Sequence, residues 1–72
     1  KSKMDKEIIN EAVERVDFDF NEIFYFLKIA KEKNDLNSLY YLVKQIKENC
    51  LYIKIYCTAI LYELEKGNFL NE

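Results

Sequence analysis

The chain has no histidine, proline or tryptophan, and a single glycine, Gly67. Without histidine the commonest general acid–base group and metal ligand is missing. Without proline, and with no glycine before Gly67, nothing in the first 66 residues forces a break, and sheets joined by tight turns are disfavoured. No glycine-rich loop exists to cradle a phosphate. Ser2, Ser38 and Thr58 lie near no base that could activate a hydroxyl. The expectation is therefore a protein that is not an enzyme and needs no cofactor or metal.

What is present is patterned for helix. At 72 residues there is room for one domain, residues 1–72, with a modest core. Half the residues are apolar and a third charged, with a net charge of −2. That balance suits a folded, helix-rich chain and argues on its own for neither nucleic acid nor membrane. The best apolar run, Leu51–Tyr62, is short and interrupted by Lys54, so no membrane span or secretory leader is expected, and the location implied is cytoplasmic. Met4 fits a native start, with Lys1–Lys3 a non-native addition.

Apolar residues recur with helical period. In the first half the line runs Ile9, Val13, Val16, Phe20, Ile23, Leu27, Ala30; in the second it runs Leu39, Val43, Ile46, Cys50, Ile53, Cys57, Ile60, Leu64. Between them, residues 33–38 break the pattern with helix-end residues. Asn34 suits a left-handed close to the first helix, and Asp35 or Asn37 suits a cap for the second. The expected fold is all-α: an antiparallel helical hairpin with helices over roughly 3–33 and 36–66 and a loop at 34–35. Folding at the loop sets Phe20 beside Cys50, Val13 beside Cys57 and Leu27 beside Val43.

One local signal points elsewhere. Asp19 and Glu22 have capping-box spacing, and Phe18 and Ile23 have staple spacing. The first helix is therefore expected to be kinked or broken near 17–19, and a break would give a three-helix bundle instead. Asp17, Asp19 and Asn21 also match the opening of a calcium loop, but Glu22 stands where its glycine belongs and Lys28 where its glutamate belongs. Capping accounts for them better.

Cys50 and Cys57 lie two helical turns apart, about 10 Å, too far to bridge one another within one helix. A reduced pair behaving as small hydrophobes is expected, with a disulfide between two copies as the alternative.

The aromatic surplus carries the functional reading. A two-helix hairpin has one internal face, which the two apolar lines already fill. The remaining aromatic and aliphatic side chains would leave an apolar surface larger than a monomer usually carries. Association is expected, most simply as a homodimeric four-helix bundle, and the partner-binding candidates are Phe24, Tyr25, Tyr41, Tyr52 and Tyr56. The function implied is a protein–protein interaction module: a small self-associating adaptor, regulator or inhibitor.

Charge suggests an alternative. Asp5–Glu22 holds seven acids against Lys6 and Arg15, whereas Lys28–Lys54 holds six lysines against Glu32, Asp35 and Glu48. In size, hairpin layout and paired lines the chain resembles the Rop-type plasmid regulators. That resemblance covers architecture alone and implies a dimeric bundle binding RNA or DNA; within the basic region Lys28, Lys31, Lys44, Lys47 and Lys54 are the candidates for phosphate contact. A third reading is a fragment or subunit of a larger helical assembly. Glu32–Leu36 resembles Glu65–Phe69, at an offset close to the period of tetratricopeptide-type repeats, and Asn68–Glu72 reads as the start of a further apolar segment.

Overall fold

The computed structural model describes residues 3–67, and these form two helices, α1 (Lys6–Glu32) and α2 (Leu36–Lys66), packed antiparallel. Both start on an aspartate. The Asp5 carboxylate accepts from the amides of Glu7 (3.0 Å) and Ile8 (3.3 Å). Asp35 accepts from the amides of Asn37 (3.2 Å) and Ser38 (3.4 Å) and from the Ser38 hydroxyl (2.8 Å). Each satisfies amide groups that the helix start leaves without partners. α1 ends at Glu32 and is closed by Lys33, whose backbone is extended and whose amide donates to Ala30 O at 3.3 Å. The turn is thus one residue longer than the sequence suggests.

α1 runs unbroken through 17–19, so the three-helix alternative does not apply to the described residues. The capping-box signal goes unused: residue 19 is helical and buried, and the Glu22 carboxylate accepts from Asn49 of α2 at 2.9 Å.

The hairpin measures 54 × 17 × 14 Å, two helices wide and one helix thick. Its ends are tied. The Asp5 amide donates to the Glu63 carboxylate at 3.0 Å, and Lys66 Nζ lies 3.1 Å from the same oxygen. Met4 lies so close over Gly67 that a Cβ there would stand 3.1 Å from the Met4 Cβ. Glycine permits that approach.

The helices meet along Ile9, Ala12, Val16, Asp19, Ile23, Phe26 and Ala30 on α1. On α2 the meeting line is Leu39, Leu42, Ile46, Asn49, Ile53, Tyr56, Ile60 and Glu63. Every one is buried or half-buried. The sequence pattern identifies every second member of these lines and places the others one residue too far along. Val13, Phe20, Leu27, Val43 and Cys50 are exposed instead of sealed between the helices. The height matching of the two helices nevertheless holds. Asn49 Nδ2 reaches Asp19 O at 3.4 Å, one residue before the expected layer of Phe20 and Cys50.

Candidate interaction surface

In each helix the true meeting line and the expected one share the same backbone of residues, seven apart, and diverge by one position between them. Two lines suffice to join two helices, whereas a third apolar line widens the stripe to that of a helix with a second neighbour. Here the third line is Val13, Phe20 and Leu27 on α1, with Val43, Cys50 and Cys57 on α2. In an antiparallel pair these positions lie on the same flank of the hairpin, one on each side of the seam. No charged residue falls among them. Phe20 is 44% exposed, and its ring stacks at 6.3 Å on that of Phe24, which is 63% exposed and widens the strip. Leu36 extends it at the loop end, where it lines a mainly apolar groove with Leu39, Tyr40 and Val43, and Lys44 and Lys47 stand at the same groove.

Burial within the hairpin leaves this strip without cover. Among the described apolar residues only Ala12 and Ile23 are buried in the hairpin. The accessible surface is 6089 Å², against about 4,700 Å² for a compact monomer of 8.7 kDa.

The opposite flank is polar at its centre. Asn49, 1% exposed, is the most deeply buried side chain among the described residues. Its Nδ2 donates to Glu22 Oε1 at 2.9 Å and to Asp19 O, and its Oδ1 accepts from Gln45 Nε2 at 3.0 Å. Arg15, Phe18 and Tyr52 complete the groove around this network. An adjoining groove, lined by Ile8, Ala12, Tyr56 and Ala59, carries Glu11 and Arg15 at its rim.

The five aromatic candidates do not gather on one face. Phe24 borders the uncharged strip. Tyr52 and Tyr56 line the polar groove on the other flank, with Tyr56 half-buried in the seam. Tyr25 packs beside Phe26 at 6.0 Å, and Tyr41 meets Tyr40 edge-on at 5.2 Å, both on outward faces. Phe20 is missing from the sequence-based candidates because its spacing assigns it to the sealed seam. Asn49 and Glu63 are missing too, although Leu42, Asn49, Tyr56 and Glu63 recur every seven residues and so mark a line of their own.

Lys28, Lys31, Lys44, Lys47 and Lys54 are all exposed. Lys44 lies 5.7 Å from the centre of the Tyr40 ring. Both cysteines are free, Cys50 exposed and Cys57 half-buried. Among the described residues no three side chains of the kinds that hold a metal ion come together, and no helix is long and apolar enough to cross a membrane. The echo of Glu32–Leu36 at Glu65–Phe69, and the segment Asn68–Glu72, extend beyond the described residues.

These features define an all-α antiparallel hairpin with a polar layer inside its seam and an uncovered apolar strip along one flank. Comparison with protein-family models, with curated proteins and with solved structures gives no match to this chain.

Proposed function

We propose that the chain is a non-enzymatic protein–protein interaction module, a small self-associating adaptor, regulator or inhibitor working in the cytoplasm. The observation that carries this reading is the uncharged strip of Val13, Phe20, Leu27, Val43 and Cys50, exposed along one flank. Burying such a surface is the main driving force for association, and aromatic side chains at its centre are typical of interface cores. Size in solution with and without reductant tests it. A particle of twice the chain mass under both conditions supports the reading; a monomer under both removes self-association.

A second reading, binding of RNA or DNA, draws on the five exposed lysines and the Lys44–Tyr40 pair. Binding that is present at low salt and lost at moderate salt supports phosphate contact. No retention of either nucleic acid at low salt eliminates it.

A further inference from the structure

We propose that the uncharged strip is covered by a second copy of the chain, laid so that α1 of each copy lies over α2 of the other, with the two-fold axis parallel to the helices. This rests on the self-association proposed above and adds the face and the orientation. The whole hairpin carries roughly 1,350 Å² per chain in excess of a compact monomer. Covering the strip removes part of that excess from each copy, and a standard stable interface needs about 1,600 Å² over both copies.

Side-chain size selects the orientation. The bond from Asn49 to Asp19 sets the relative heights of the two helices, placing Val13 level with Cys57, Phe20 with Cys50 and Leu27 with Val43. With α1 over α2 of the second copy, each layer sets a larger side chain over a smaller one, as close packing prefers. An axis perpendicular to the helices would stack Phe20 on Phe20 and Cys50 on Cys50. That leaves a bulge beside a gap.

Charge selects the same way. Asp17 and Lys31 border the α1 side of the strip, while Lys47 and Lys54 border the α2 side, all exposed. α1 over α2 brings Asp17 of one copy to Lys54 of the other. The alternative lays α2 over α2 and brings Lys47 to Lys54, which costs association.

The arrangement has a covalent signature. Cys50 of one copy faces Phe20 of the second and lies diagonally across the bundle from the second Cys50. The test mixes two chains, one carrying Phe20→Cys with Cys50→Ser and Cys57→Ser, the other carrying Cys57→Ser alone. After mild oxidation the main covalent dimer should join the introduced thiol to Cys50 of the other chain. A Cys50–Cys50 dimer as the main product overturns the orientation.

Phe20→Lys tests the face itself. Its side chain is already half in water in the hairpin, so helicity should survive while the dimer dissociation constant rises about thirtyfold or more. A dimer that resists Phe20→Lys and is lost on Tyr25→Lys or Tyr41→Lys overturns the face while leaving self-association standing. A wild-type monomer overturns both.

Discussion

Asn49 of α2 and Glu22 of α1 meet at 2.9 Å, a hydrogen bond between a buried amide and a carboxylate at the middle of the seam. Because Asn49 also holds Gln45 and the Asp19 carbonyl, it is satisfied on both sides. Such a layer contributes less to stability than an apolar one would, and its best-attested use is to specify register. Here it sets which layers of the two helices stand level.

Asn49→Asp keeps the shape and removes the donor, setting a second carboxylate beside Glu22. The expected loss is about 2–3 kcal/mol at neutral pH, measured by chemical denaturation. The loss should shrink in acid, where one carboxyl takes up a proton, and on adding Glu22→Gln, which restores a donor. An Asn49→Asp protein as stable as the wild type at neutral pH would mean that the bond is idle.

Glu63 is buried and accepts from the Asp5 amide at the open end of the hairpin. Glu63→Ala should cost about 1 kcal/mol, which for a domain of this size lowers Tm by about 4–8 °C. Faster amide exchange confined to the first turn of α1 should accompany it. Unchanged exchange at Asp5–Ile8 would show that the clamp holds nothing.

Asp35 gives the hairpin a defined acid response. The Ser38 hydroxyl first, then the Asn37 amide, hold its carboxyl below the ordinary value of 3.8. A pKa depressed by folding means that the unfolded chain binds more protons in acid. The stabilisation is therefore complete above the ordinary value and is lost as pH falls through the folded one. Asp35→Asn preserves the cap but cannot titrate. The wild type should lose more stability than this variant on acidification below about pH 4; equal losses in denaturation would contradict the assignment.

The hairpin is legible in the sequence because Ile9, Val16, Ile23 and Ala30 repeat every seven residues, as do Leu39, Ile46, Ile53 and Ile60, and helix-end residues separate the two runs. The intervening line is not legible. Val13, Phe20 and Leu27 are more hydrophobic than Ala12, Asp19 and Phe26 taken together, so patterning alone favours them for the seam. The seam instead takes Ala12, which is small, and Asp19, which stands level with Asn49. Local hydrophobicity does not reveal that Asn49 will be satisfied across the seam by the Glu22 carboxylate and the backbone carbonyl of residue 19. The break anticipated at 17–19 fails for a related reason, since Glu22 looks alike as a capping residue and as the acceptor of a bond from the other helix.

Whether the uncharged strip is covered in solution decides between a lone hairpin and an associating one. Sedimentation equilibrium of the wild-type chain at high micromolar concentration, in molar salt with reductant, tests it most directly. Apolar burial survives salt whereas association driven by surface charge is screened. A particle of twice the 8.7 kDa chain mass is expected, unchanged between low and high salt. A strictly monomeric particle under both conditions would contradict it.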